Sequence, residues 1–218
     1  MEADFWLQRW QDQQTAFDQA AAHPMLQRHW DAVGCAPGAQ VLVPLCGRSL
    51  DMDWLLARGH TVLGVELSPL AAEAWFGAHA LEPARSADGA FTRLQAGGCA
   101  ILVGDFFALE PRHVEQVGAW YDRAALIALP LPMRERYVAL LAQLLAPATR
   151  GLLVSMDYPP EQITPPPFSV PEQELRRLLA GAFTAARLER VDTFAQEQRL
   201  AARGLRSMHE EAWLLRRA

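Results

Sequence analysis

The sequence contains no lysine and no asparagine, so all 20 of its basic residues are arginine. Without lysine there is no Schiff-base chemistry, no phosphate-loop lysine and no serine–lysine hydrolase. Without asparagine there is neither an N-glycosylation acceptor nor the Asn-Pro-Pro-aromatic signature of enzymes that methylate amino groups in nucleic acids. Cysteine is also scarce. Cys35, Cys46 and Cys99 are odd in number and form no CxxC pair, which argues against a disulfide framework or a structural zinc site. The six histidines show no HExxH or comparable spacing, so no metal is expected. No run of about 18 apolar residues exists to span a bilayer, and a membrane role is not expected. Residues 1–30 carry Asp4, Arg9, Asp12, Asp18 and Arg28 rather than a cationic start and an apolar core, so no secretory signal is expected and the cytoplasm is the expected location. A net charge of −5 makes nucleic acid a poor partner.

What is present is ordinary globular composition, 51% hydrophobic and 21% charged over 218 residues, which predicts one domain covering residues 1–218. Residues 4–30 read as helical, with Phe5, Trp6, Trp10, Phe17 and Trp30 at loosely helical spacing. Residues 40–45 (QVLVPL) form a short apolar strand, Cys46-Gly47-Arg48-Ser49 a turn, and residues 50–58 a helix with Ser49 as its cap. Residues 61–66 (TVLGVE) form a second strand, and Ser68-Pro69 opens a helix reaching His79. After a polar stretch at 81–98, further buried strands are predicted at 99–103, 118–121 and 151–156, with an amphipathic helix at 132–145. Residues 157–171 hold six prolines and read as a stiff loop, followed by a helix at 172–179 and strand-like runs at 186–191 and 211–215. Alternating strands and helices predict an α/β fold with a doubly wound sheet.

In such a sheet, ligands sit at the carboxyl ends of the strands, where the first βα turn offers backbone N–H groups and no Cβ obstructs approach. Gly47 occupies that turn. Glu66 ends the second strand 19 residues later, placed to accept hydrogen bonds from ribose hydroxyls. The turn lacks the further glycines of a dinucleotide-binding loop, which favours a nucleoside ligand without a diphosphate. Gly104-Asp105-Phe106-Phe107 follows the next strand and suits an adenine, with a carboxylate for its amino group and an aromatic ring for its face. A plain turn is the other reading of that tetrapeptide.

Val43-Pro44-Leu45-Cys46-Gly47-Arg48-Ser49-Leu50-Asp51-Met52, followed by Gly59-His60 and Gly64-Val65-Glu66-Leu67-Ser68, resembles the thiopurine S-methyltransferase family, in particular its bacterial branch. The likeness continues in Phe5-Trp6-x-x-Arg9-Trp10, Thr15-Ala16-Phe17, Tyr121-Asp122-Arg123-Ala124 and Pro166-Pro167-Phe168, and so covers nearly the whole chain. Arg48 stands where the family often has lysine, a change that keeps the charge but alters donor geometry. The resemblance implies a class I, Rossmann-like methyltransferase fold with a seven-stranded sheet, helices on both faces, and S-adenosylmethionine as cofactor. It also implies roles for particular residues. Trp6 and Trp10 cover the cofactor from a lid formed by residues 1–30, Leu45 and Gly47 form the turn, Glu66 holds the ribose, and Asp105 with Phe106 meets the adenine. Phe17 faces the acceptor, and Arg123 touches both ligands and assists the chemistry.

A heteroaryl thiol is acidic enough to ionise near neutral pH, so an arginine that stabilises the thiolate replaces a strong base. The expected partner is a small aromatic thiol or a selenium or tellurium oxyanion, and the expected state a monomer. Three other readings stay open at this stage. The Trp residues can form a buried helical stripe, Asp122-Arg123 can be a structural ion pair, and the proline loop can be a plain connector. For function, the alternatives are a methyltransferase acting on another small acceptor and a non-catalytic module that binds an adenosyl ligand. The order Asp157-Tyr158-Pro159-Pro160 reverses the Asp-Pro-Pro-Tyr signature of amino methylation and gives that chemistry no support.

Overall fold

The computed structural model describes residues 3–14 and 19–218. They fall into two compact units, one formed by residues 3–14, 19–28 and 34–121, the other by residues 29–33 and 122–218.

In the first unit, α1 (Ala3–Gln11) and α2 (Pro24–His29) occupy the segment read as helical. The run QVLVP becomes β1 (Gln40–Pro44), and TVLGVE becomes β2 (Thr61–Glu66), paired with it in parallel register. Between them lies α3 (Asp51–Ala57). Ser49 is not its cap. The helix opens from Leu50 in a right-handed conformation with no side-chain cap, while the Ser49 hydroxyl accepts the Asp51 N–H at 3.2 Å. Ser68 does cap α4 (Pro69–Ala78), accepting the Ala71 N–H with Pro69 in the first turn, where a missing N–H costs nothing.

The polar stretch at 81–98 hides a hairpin, β3 (Ala84–Asp88) and β4 (Phe91–Ala96), antiparallel to each other and to β5 (Cys99–Val103). β3 is polar and largely exposed, and only Phe91 and Leu94 of β4 are buried, so the pair shows little apolar signal. β6 (Val117–Asp122) pairs in parallel with the other side of β1. The order in this unit is β3-β4-β5-β2-β1-β6. Strand order reverses at β1, and in open α/β sheets that reversal makes a crevice at the carboxyl ends of the strands.

The second unit contains α5 (Ala125–Ala128), α6 (Leu131–Leu144), β7 (Arg150–Asp157), α7 (Glu172–Leu179), β8 (Phe183–Asp192), α8 (Gln198–Ala202) and β9 (His209–Arg217). Its strands follow the antiparallel order β7-β9-β8, which makes the arrangement mixed. Among the described residues the strands number nine, two more than the seven expected. The β3–β4 hairpin accounts for the excess. No helix among them is long and apolar enough to cross a membrane, and no cluster of His, Cys, Asp or Glu could hold a metal ion.

Candidate active site

β1 ends at Pro44, and the chain then turns sharply. Leu45 takes φ +49° and Gly47 φ +53°. For leucine the left-handed conformation costs about 1–2 kcal/mol, and strain of that size gathers at functional turns. A Cβ on Gly47 would lie 3.3 Å from Cζ2 of Trp10, so glycine answers both the backbone angle and the close approach of α1. Trp10 is buried, and the Arg48 guanidinium lies 5.9 Å from its ring centroid, at the outer reach of a cation–π contact.

Glu66 closes β2 with its side chain buried against this turn. Its Oε2 accepts the Gly47 N–H at 2.8 Å, and its Oε1 accepts the Ser68 N–H, also at 2.8 Å. Two backbone donors, one on each carboxylate oxygen, fix the plane of the acid. The Glu66 carbonyl accepts the Gly104 N–H at 2.9 Å, which ties the end of β5 to the same place. Cys46 lies within the turn. Burial first, then the charges of Glu66 and Cys99, push its thiol well above the ordinary range, so it stays protonated and is no nucleophile.

Asp105 is exposed, and its Oδ1 accepts the Phe107 N–H at 2.9 Å, capping a short 3₁₀ turn at Phe106–Ala108. Phe106 is buried and packs edge-on against Phe107, with ring centroids 5.9 Å apart. Trp6 is half-buried on α1 and edge-on to Phe5. The geometry thus joins Trp10, Gly47, Glu66 and the start of the Asp105 turn. Phe17 lies outside the described residues.

Arg123 belongs to the second unit, half-buried between β6 and α5. Beside it, Asp122 is buried and acts as a clamp. Its Oδ1 accepts the N–H groups of Ala125 and Leu126 at 3.1 and 3.2 Å, and its Oδ2 accepts the Tyr137 hydroxyl at 2.7 Å. Burial pushes the Asp122 carboxyl up to about 6, against the opposing effects of the Tyr137 hydroxyl, the two backbone donors and the charge of Arg123. The proline loop in this unit is pinned. The Tyr158 hydroxyl donates to the Pro167 carbonyl, the Tyr158 N–H to Ser169 Oγ at 3.0 Å, and the Phe168 N–H to the Ile127 carbonyl at 2.7 Å. A cavity of about 470 Å³ opens at its base, walled by Tyr158, Ser169, Glu174 and His209 among others. Arg190, on the same wall, is neutralised by Asp157 at 3.1 Å and Glu211 at 2.9 Å.

The model of one protein family, thiopurine S-methyltransferase, matches residues 1–218. The chain belongs to that family. It is 45% identical over 217 residues to a thiopurine S-methyltransferase of Pseudomonas putida and 46% identical to one of Pseudomonas entomophila, with 100% of both chains covered in each case. Among solved structures, it is similar to an S-adenosylmethionine-dependent methyltransferase of Anabaena variabilis, with TM-score 0.68, 12% identity, and coverage of 99% of this chain and 95% of that one. It is also similar to the 1,6-didemethyltoxoflavin-N1-methyltransferase of Burkholderia thailandensis, solved with bound 1,6-didemethyltoxoflavin and S-adenosylhomocysteine, with TM-score 0.65, 19% identity, and coverage of 99% of this chain and 87% of that one. At such identities the structures establish the shared fold, the class I Rossmann-like methyltransferase fold expected for the family.

Sequence reading did not assign roles to Ser68, Asp51, Tyr121 or Tyr137. Ser68 was legible only as a helix cap, yet its N–H also orients Glu66. Asp51 lies within the motif that carries the family likeness, which was the available signal for it.

Proposed function

We propose that this thiopurine S-methyltransferase family member transfers the methyl group of S-adenosylmethionine to the sulfur of an aromatic or heterocyclic thiol, thiopurines included, with selenium and tellurium oxyanions as further acceptors. The observation that carries the reading is the Glu66 carboxylate held between the Gly47 and Ser68 N–H groups at the carboxyl end of β2. The turn suits a nucleoside. It offers an oriented, buried acceptor for ribose hydroxyls, a position without a Cβ, and an indole packed over it.

When bound, S-adenosylmethionine supplies an electrophilic methyl group on a cationic sulfur. Glu66 takes the ribose hydroxyls, Leu45 and Gly47 shape the turn, Trp6 and Trp10 cover the ligand, and Asp105 with Phe106 receives the adenine. Phe17 is the residue that the family resemblance assigns to the acceptor. Arg123 holds the acceptor sulfur as its thiolate, which removes the need for a strong base because heteroaryl thiols already ionise near neutral pH. Excluding water strengthens that arginine–thiolate attraction. The whole chain acts as one methyltransferase domain with residues 1–30 as its lid, as a cytoplasmic monomer working on a small molecule rather than on nucleic acid or a membrane.

The test is a panel of 6-mercaptopurine, thiophenol, selenite and tellurite under identical conditions, with methylated product scored by mass. Methylation of the two thiols is expected. Binding of S-adenosylmethionine without any methylated product would favour a non-catalytic adenosyl-binding module.

A further inference from the structure

Outside the donor turn, one buried carboxylate joins segments that are distant in sequence. Asp51, in the first turn of α3, is 2% exposed. Its Oδ1 accepts the His23 N–H at 2.7 Å, and its Oδ2 accepts the Tyr121 hydroxyl at 3.1 Å. Its own N–H donates to Ser49 Oγ, and the Ser49 N–H returns to the Cys46 carbonyl at 3.2 Å, so the carboxylate is wired to the turn containing Gly47. His23 ends the segment that starts with α1 and Trp10, and its Nδ1 accepts the Met25 N–H at 3.2 Å, fixing the entry into α2. Tyr121 is the penultimate residue of β6, two positions before Arg123.

We infer that Asp51 is a positioning residue for methyl transfer, its carboxylate setting the N-terminal segment against the Gly47 turn through His23 and the end of β6 through Tyr121. The inference rests on the reading of this site as a methyltransferase centre. A buried N–H or O–H deprived of its acceptor loses its partner and cannot recover water, so each arm constrains its segment. The two arms also differ chemically. The His23 N–H can only donate, whereas the Tyr121 hydroxyl can reverse and accept. Asparagine at position 51 can therefore keep its oxygen on His23 and donate its amide N–H to Tyr121, preserving both links, while alanine loses both. Phenylalanine at position 121 cuts the strand arm alone.

The experiment uses the full chain. Affinity for S-adenosylmethionine is measured by calorimetry and turnover with 6-mercaptopurine, below the unfolding midpoint of every variant. Asp51→Ala is expected to weaken donor binding about tenfold or more, and Asp51→Asn to restore it to within about threefold. Tyr121→Phe should lower kcat about fivefold while leaving donor affinity within about twofold of the wild type. In a Trp10→Ala background, Asp51→Ala should cost much less than in the wild type, because the segment it holds no longer covers the turn; a purely structural role gives the same factor in both backgrounds. Undiminished donor binding in Asp51→Ala, or equal factors with and without Trp10, would overturn the inference. Should Asp51→Ala fail to fold, Asp51→Asn and Tyr121→Phe decide: a tenfold loss in the first or an unchanged kcat in the second overturns it. A wild-type protein that binds no S-adenosylmethionine defeats the methyltransferase reading itself, whereas a wild type that binds and turns over beside an indifferent Asp51→Ala defeats only this inference.

Discussion

Gly47 and Glu66 lie nineteen residues apart in sequence, and the N–H of the first meets a carboxylate oxygen of the second at 2.8 Å. That bond closes the βαβ unit at its carboxyl end and, together with the Ser68 N–H on the other oxygen, fixes the plane of the acid. Gly47→Ala places a Cβ 3.3 Å from Trp10 at a φ of +53°. The variant is expected to lose about 1–2 kcal/mol of stability from the backbone angle. Its donor affinity should fall about tenfold, because Trp10 must retreat from the turn. Chemical denaturation and calorimetry check the two effects separately.

Arg123, which the family resemblance puts beside both ligands, is proposed to assist the chemistry chiefly by stabilising the acceptor thiolate. Arg123→Ala should lower kcat about a hundredfold while changing donor affinity less than threefold, since it removes a charge that stabilises the thiolate. Raising the pH, or using a more acidic thiol, should recover part of the loss by supplying thiolate without help. Equal losses in kcat and donor affinity would place Arg123 on the donor instead.

The Asp122 carboxyl is pushed up to about 6 from an ordinary 3.8. Its raised value means that the folded state holds the proton more tightly than the unfolded chain. The contribution is therefore fully present below about pH 4 and lost as pH climbs through about 6, on the order of 3 kcal/mol in all. Asp122→Asn cannot titrate. Urea unfolding of both proteins between pH 4 and 7 should show the stability difference moving in favour of the wild type as pH falls. A difference that does not depend on pH would mean that Asp122 titrates normally.

Gly64, in the middle of β2, has no unusual backbone angle and is glycine for a packing reason. A Cβ there would fall 2.7 Å from the Cys46 sulfur and 3.2 Å from Cγ1 of Ile101. Gly64→Ala should cost about 1–3 kcal/mol, as overpacking does. Adding Cys46→Ala should restore much of it by removing the sulfur. Failure of the second change to help would assign the strain to Ile101.

The parallel core was legible because β1, β2 and β5 are short apolar runs that are buried when folded, and because Gly47, Glu66 and Ser68-Pro69 punctuate them. The β3–β4 hairpin was not, since an edge strand such as Ala84–Asp88 needs no apolar face and leaves no periodic trace. Ser49 looked like a helix cap because serine before an apolar run usually is one, but the chain is already helical at Leu50. In the site, residue types singled out Gly47 and Glu66, which the structure joins, whereas the bonds of Asp51 to His23 and Tyr121 span 28 and 70 positions. No local pattern encodes links of that length.

Calorimetric titration of S-adenosylmethionine into the wild type and into Glu66→Gln asks whether the Gly47–Glu66 turn holds the nucleoside part of that donor. The amide nitrogen of glutamine cannot accept the Gly47 or Ser68 N–H, so this role requires saturable one-to-one binding by the wild type and a loss of about tenfold or more in the variant. Identical affinity in the two proteins, or no binding by the wild type, would contradict it.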